Sequence, residues 1–492
     1  MVPRGQRPVY AAPVRFDRAF SDAEALMWRL EKDPHLTSTF GAVMVLDRAP
    51  DHQMLRRRLD YTAHAIGRLR QRVQPAGGGL PPVWVDDPAF DLDYHVRRIA
   101  CPRGLGGRPA TLREALDVVA VLMADPLDRT RPLWQYVVIE GLRGGKAVVL
   151  QKMHHTLTDG ERGVELSLQY MDFERDAPEP PGVADALDRS PAAAGADDAE
   201  PDRSDSAAGA ASTADTVREF VAGGLRLPIG VARQVRDLLT DPASIPDATT
   251  AAARTLRGIV TQLSDTAGAR SPLWTERSVR RRLVPLQAPF QATKAAARSL
   301  GGTLNTAFLT AAAHAAGAYH AELGQPVEAL RASMAVSTRT ESSGGNAFSL
   351  ARMTVPTAEM PIVERFHLVE QAISAGREAS GGAGLDALAA LTAGLPTSLL
   401  TRIARQQAET VDFATSNLRG SPLPMFLSGA QIEAVYPLGP LLGVAFNLTL
   451  MSYLGSLDMG LHVDTAAVAE PELLGRCFTQ AFKELERASR GG

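Results

Sequence analysis

Apolar positions along the chain alternate between helical and strand spacing. Ala23 to Glu31 reads as a helix with Asp22 as its cap, and Gly41 to Leu46 as a strand. Helical spacing returns from Met54 to Leu69. Val83 to Val85 and Tyr94 to Ile99 read as extended, and Leu112 to Met123 as a further helix. Trp134 to Leu142 and Ala147 to Met153 form two strands joined by a tight turn at Arg143-Gly144-Gly145-Lys146, where paired glycines accept positive φ. Past Gly160, the residues Val164, Leu168 and Met171 fall at helical spacing. The segment after Met153 therefore links a strand to a helix, a junction that exposes side chains. The class is α/β.

Farther along, apolar periodicity disappears from about Asp176 to Asp215, where Ala, Pro, Gly, Ser and Asp dominate, and this predicts a linker. Val217 to Leu239 then carries Arg218, Arg226, Arg233 and Arg236 among Phe220, Val221, Leu225, Ile229 and Leu238. Such a helix suits packing on its own protein or lying on an anionic membrane surface. A second domain begins near Ser271. It holds an Ala-rich helix from Leu304 to Glu322, a strand at Ala332 to Ser337, a helix from Met360 to Ser380, and strands at Gln431 to Tyr436, Val444 to Leu450 and Leu457 to Val463. At 492 residues the chain exceeds what a single core supports. The expected division is 1–175, a linker with an amphipathic helix over 176–270, and 271–492.

With 45% hydrophobic and 22% charged residues, the composition excludes a mainly disordered chain. A formal charge of -3 from 52 basic and 55 acidic residues supplies no basic field, so nucleic acid is not an expected partner. Cys101 and Cys477 are too few for a disulfide framework, and a reducing, cytoplasmic setting fits. The first eight residues lack the apolar stretch of a secretory signal. Ala434 to Leu457 carries no charge, but Pro437 and Pro440 mark it as a buried strand with its approach loop and not a membrane span.

The chemistry gathers at His154-His155-Thr156-Leu157-Thr158-Asp159-Gly160. Transfer of an acyl group from a thioester to a hydroxyl needs a base of near-neutral pKa, held in one tautomer by a neighbouring group. It also needs room for the pantetheine arm, and imidazole, Asp159 and Gly160 meet those demands. The bland reading of the same residues is two strand-end histidines, a helix cap and a turn glycine. Adjacent histidines diverge at a strand end, and no H-E-x-x-H spacing occurs, so no metal site is expected. Neither a G-x-S-x-G elbow nor a phosphate-binding G-x-x-x-x-G-K-[ST] loop is present.

The His-His-x-x-x-Asp-Gly segment, preceded by Pro126-Leu127-Asp128-Arg129-Thr130-Arg131-Pro132-Leu133-Trp134, resembles the bacterial wax ester synthase/acyl-CoA:diacylglycerol acyltransferase family. Further matches follow in order: Gly301-Gly302-Thr303-Leu304-Asn305, Val336-Ser337-Thr338-Arg339, Thr415-Ser416-Asn417-Leu418-Arg419-Gly420, and Tyr436-Pro437-Leu438-Gly439-Pro440 through Ser452-Tyr453-Leu454-Gly455. The resemblance implies two chloramphenicol acetyltransferase-like domains with the active site at their interface. His155 would be the general base, and Asp159 would hold the loop. Acyl-CoA would be a substrate and no cofactor would be needed. Asn305, Ser416 and Asn417 would line the substrate site, although Ser416 and Asn417 also fit a polar turn before Pro422.

One departure stands out. Thr306 follows Asn305 where the family commonly has Asp, which removes a carboxylate near the expected site. The reading is an O-acyltransferase acting on diacylglycerol or a fatty alcohol, associated peripherally with a membrane or lipid-droplet surface. A condensation-type domain acting on carrier-bound acyl groups and an inactive lipid-binding homologue are the alternatives.

Overall fold

The computed structural model describes residues 18–76, 81–158, 160–180, 270–337, 348–380, 389 and 396–489. The expected helix from Val217 to Leu239, most of the expected linker, and Asp159, Thr338 and Arg339 lie outside these residues.

The chain opens with α1 (Asp22–Leu30), β1 (Thr39–Leu46), α2 (His52–Ala65) and the hairpin β2 (Gln71–Gln74) and β3 (Val83–Asp86). It continues through α3 (Leu92–His95), β4 (Val96–Ala100), α4 (Leu112–Ala124), β5 (Trp134–Glu140), β6 (Ala147–His154) and α5 (Gly160–Ser167). Ser21, and not Asp22, caps α1. Its hydroxyl accepts from Glu24 N–H while Glu24 returns a carboxylate to Ser21 N–H, and Asp22 sits in the first turn beside the helix dipole. The expected helix over Met54 to Leu69 stops at Ala65, where a 3₁₀ turn over Gly67–Arg70 redirects the chain into β2. Tyr94 and His95 belong to α3, with extended backbone beginning only at Val96.

Downstream come β7 (Arg281–Pro289), α6 (Phe290–Ser299), α7 (Leu304–Glu322), β8 (Ala329–Ser337), β9 (Phe348–Pro356), α8 (Ile362–Ser380), α9 (Thr397–Ala408) and β10 (Phe413–Arg419). The last elements are β11 (Phe426–Leu427), β12 (Ala430–Leu438), β13 (Phe446–Tyr453), β14 (Ser456–Asp464) and α10 (Pro471–Ala488). Two six-stranded mixed sheets result, ordered β11-β12-β1-β6-β5-β4 and β7-β14-β13-β10-β8-β9. β12 therefore leaves the downstream half of the chain and pairs antiparallel with β1 of the first sheet.

Both faces of the first sheet are covered, which explains its unbroken apolar strands. Along β1 and β6, Val43, Val45 and Leu150 pack with Val119 of α4 on one side, while Met44 and Val149 pack with Ile432 on the other. The second sheet shares a core with α7 and α10 through Phe308, Leu448, Leu461 and Phe478. Where the sheets meet, a side chain at Gly460 would place its Cβ 2.1 Å from the Pro437 carbonyl oxygen, so only glycine permits the approach. The buried Asp458 ties the same seam by accepting from Val435 N–H at 2.8 Å.

The uncharged stretch from Ala434 to Leu457 is taken up by the end of β12, the loop that follows it, β13 and the start of β14. No helix among the described residues is long and apolar enough to cross a membrane.

Candidate active site

β6 delivers the histidine pair. It is buried along its whole length and ends at His154, after which the chain turns through His155 and Thr156, with Leu157 N–H bonded to His154 carbonyl at 2.9 Å. Neighbours pin that turn from both sides. His154 N–H donates to Leu133 carbonyl, and His155 N–H donates to Ser38 carbonyl, each at 3.1 Å.

The two imidazoles have different surroundings. His154 is only 1% exposed. Its Nδ1 accepts from Thr156 N–H at 3.0 Å, which leaves the ring proton on Nε2, 2.9 Å from Glu31 Oε2. The Glu31 oxygen sits off the N–H axis, so this contact is electrostatic and not an aligned hydrogen bond. Burial pushes the Glu31 carboxyl up, but the His154 ring, the Thr37 hydroxyl and Ser38 N–H outweigh it and hold the carboxyl at about 2. Glu31 thereby joins the strand segment that anchors His155 to the ring of His154. With both nitrogens committed, His154 has no lone pair to offer a substrate.

His155 is half-buried, and its ring lies against Phe40 with centroids 4.6 Å apart. Phe40 and Gly160 both line a cavity of about 390 Å³. β1, α5, β12 and the end of β10 form its wall, through residues such as Ala42, Met44, Val164, Leu418, Ile432 and Val435. This wall is mostly apolar and draws on both sheets. At its rim Leu168, Phe173 and Leu423 remain 39%, 49% and 49% exposed. Gly160 faces across the seam, where an added Cβ would lie 3.0 Å from Leu418 Cδ2.

Pro126 to Trp134 acts as the motif's scaffold. Arg129 donates to Trp28 carbonyl at 2.8 Å and lays its guanidinium 3.4 Å from the Trp28 ring centroid, and Trp28 meets His154 edge-on. Trp134 donates from Nε1 to Leu69 carbonyl at 2.7 Å and stacks on His95, whose imidazole burial pushes down to about 4. Lys152, two residues before His154, points away from the cavity. It donates to the carbonyls of Leu122 and Asp125 at the C-terminal end of α4, and burial lowers it to about 8.

Asn305 and Asn417 come together. Asn417 Nδ2 donates to Asn305 Oδ1 at 2.6 Å, linking β10 to the first turn of α7. Both Asn417 and Ser416 belong to β10 and not to a polar turn, because parallel pairing with β13 runs through Arg419. Strand alternation puts Ser416 on the same face as Leu418 and Asn417 on the opposite one, but Ser416, Asn417 and Asn305 are not among the residues that line the cavity. Thr306 keeps a capping role by accepting from Thr303 N–H at 3.1 Å, and it donates to the carboxylate of Glu370 on α8. A carboxylate is therefore present beside position 306, carried by a different helix.

Sequence reading did not find Glu31, Thr156, Phe40, Gln151 or Ser167 as parts of the site. Only pairing across the sheet brings Glu31 to the motif. Among the described residues no group of His, Cys, Asp and Glu is arranged to hold a metal ion.

Comparison with known proteins converges on one family. Residues 20–308 match the family model of the wax ester synthase/diacylglycerol acyltransferase catalytic domain, and residues 344–486 match that of its C-terminal domain. A putative diacylglycerol O-acyltransferase of Mycobacterium tuberculosis is 31% identical over 481 residues, spanning 96% of this chain and 92% of the relative. A wax ester synthase/diacylglycerol acyltransferase from Marinobacter aquaeolei superposes with a TM-score of 0.63 at 20% identity, over 96% of this chain and all of the other. The first condensation domain of the calcium-dependent antibiotic synthetase shares the fold, with a TM-score of 0.54 at 16% identity over 97% of each chain.

Proposed function

Because the chain belongs to the wax ester synthase/diacylglycerol acyltransferase family and is an acyltransferase, we propose that it moves a long-chain acyl group from acyl-CoA to diacylglycerol or a fatty alcohol, with His155 as general base. The observation that carries this reading is the placement of the histidines: His154 is buried, with Nδ1 accepting from Thr156 N–H and Nε2 against Glu31, and the half-buried His155 lies on Phe40, which lines the cavity. In the reaction the acceptor oxygen attacks the thioester carbon as His155 takes its proton. The tetrahedral oxyanion then collapses, the carbon–sulfur bond breaks, and the proton passes to the departing thiolate, giving an ester and free coenzyme A. The apolar wall around this step limits competing hydrolysis. Asp159 would hold the loop, as the family resemblance implies, and Gly160 lets the loop pack closely against Leu418 at the edge of the cavity.

Incubation of purified protein with palmitoyl-CoA and a panel of fatty alcohols, diacylglycerols and water, following thiol release and product mass, tests the assignment. Ester formation with thiol release supports it. Acyl transfer only from a carrier-protein thioester would instead favour condensation chemistry.

The protein is further proposed to meet lipid peripherally. Leu168, Phe173 and Leu423 support this, because exposed apolar side chains around the mouth of an apolar cavity favour contact with a lipid surface. Failure to sediment with anionic liposomes at low salt would remove this part of the reading.

A further inference from the structure

The buried polar side chains in the cavity wall are Gln151, Ser167 and Tyr453, and the Tyr453 hydroxyl is committed to Met425 N–H and Ile432 carbonyl, which leaves Gln151 and Ser167. They end a chain of hydroxyls running back into the sheet. Tyr136 Oη donates to Tyr170 Oη at 2.8 Å, Tyr170 to Ser167 Oγ at 2.9 Å, and Ser167 to Gln151 Oε1 at 3.2 Å, with Gly163 carbonyl an alternative acceptor at 2.9 Å. Tyr136 is also the cross-strand partner of Gln151, so the four side chains close into one patch. The Gln151 amide nitrogen has two hydrogens to place. It meets the Met153 thioether at 3.5 Å and the Tyr136 phenol across the strand pair. A thioether is a weak acceptor, and a buried amide held against one gains when a carbonyl oxygen replaces it.

Distance decides which carbonyl. The His155 ring lies on Phe40, and Gln151 pairs with Ala42, two residues or about 7 Å farther along β1 than Phe40, with Phe40 and Ala42 both lining the cavity. In a diacylglycerol, an ester carbonyl is separated from the free hydroxyl only by glycerol carbons and the ester oxygen, a comparable reach. An unbranched alcohol presents only methylenes at that level.

We propose that Gln151, oriented by Ser167, is a specificity-determining residue that donates a hydrogen bond to an ester carbonyl of a partial glyceride and so favours that acceptor over unbranched alcohols. The proposal rests on the acyl-transfer reading above. Its test compares kcat/KM for 1,2-dipalmitoylglycerol and hexadecanol with palmitoyl-CoA in mixed micelles. Gln151→Met, similar in size and apolar, should lower the glyceride-to-alcohol ratio by roughly ten-fold, the size expected for one hydrogen bond to a buried group. Tyr170→Phe breaks the patch away from the cavity, so it should lower the melting temperature and leave the ratio where it was. Should Gln151→Met fail to fold, Gln151→Asn keeps the amide but withdraws it by a methylene, and the ratio should again fall. An equal loss toward both acceptors, or a ratio that moves as far in Tyr170→Phe, overturns the inference while acyl transfer stands. Absence of ester formation from either acceptor by the unmodified protein brings down both.

Discussion

Glu31 Oε2 and His154 Nε2 lie 2.9 Å apart, joining the residue that ends α1 to the last residue of β6. Through its other oxygen Glu31 accepts from Thr37 Oγ1 and Ser38 N–H, each at 2.8 Å, and Ser38 carbonyl in turn receives His155 N–H. One carboxylate thus braces both histidines, the first by its ring and the second by its backbone.

Replacement of His155 should separate chemistry from folding. A positioned general base contributes about 100-fold to 10,000-fold, so His155→Ala should lower turnover by that order with its melting temperature nearly unchanged. His154→Ala should be the milder change in turnover and the more damaging to stability, since it strips partners from the half-buried Glu31 and the buried Thr156. Thiol-release assays beside thermal melts check both. Near-normal rates in His155→Ala would end its assignment as base.

Glu31→Gln should reduce stability by roughly 1–3 kcal/mol at neutral pH, because an amide has one acceptor oxygen where the carboxylate uses two. The effect has a defined pH window. The folded carboxyl is held at about 2, below its ordinary value of 4.5, so its contribution is fully present above pH 4.5 and is lost as pH falls toward 2. Urea titrations from pH 7 to pH 3 should therefore show the gap between parent and variant narrowing on the acid side. A gap that stays constant or widens would rule out the ionised contact.

Gly160→Ala should lower stability by about 1 kcal/mol, since the new Cβ forces the Leu418 terminal methyl to move by a few tenths of an ångström. Leu418→Ala in the same chain should recover part of that loss by vacating the space. A double-mutant cycle measures the coupling. Strictly additive effects would show that the two residues do not press on each other in solution.

Asn305→Ala and Asn417→Ala should each cost about 1 kcal/mol, with the double change costing little more than either, because the 2.6 Å bond joins them into one unit. If the bond also aligns the seam for catalysis, both single variants should show the same fractional loss of kcat. Unequal losses would assign a separate role to one of them.

Local pattern alone specified much of this protein. Periodicity sets β1, β5, β6, β8, β12, β13, β14 and the Ala-rich helix from Leu304 to Glu322, and α7 has the bounds it predicts, whereas β7, β9 and β11 have no counterpart in the sequence reading. The histidine segment stood out because its residues are adjacent in the chain. β10 was harder to read, since a strand bearing Thr415, Ser416 and Asn417 lacks apolar alternation and is recognisable only by its parallel pairing with β8 and β13. α1 was placed correctly but capped by the wrong residue, as Ser21 and Asp22 are both competent and only backbone geometry chooses between them. What the tertiary structure alone decided are the relationships between distant segments. Strand β12 crosses into the first sheet. Glu31 meets His154, Asn417 meets Asn305, and Glu370 comes beside Thr306. Gln151, in the middle of a buried strand, gives no sign in sequence that it borders a cavity. Each of these depends on chain crossings and sheet register, which arise from packing the whole molecule, whereas periodicity records only which face of its own element a residue occupies.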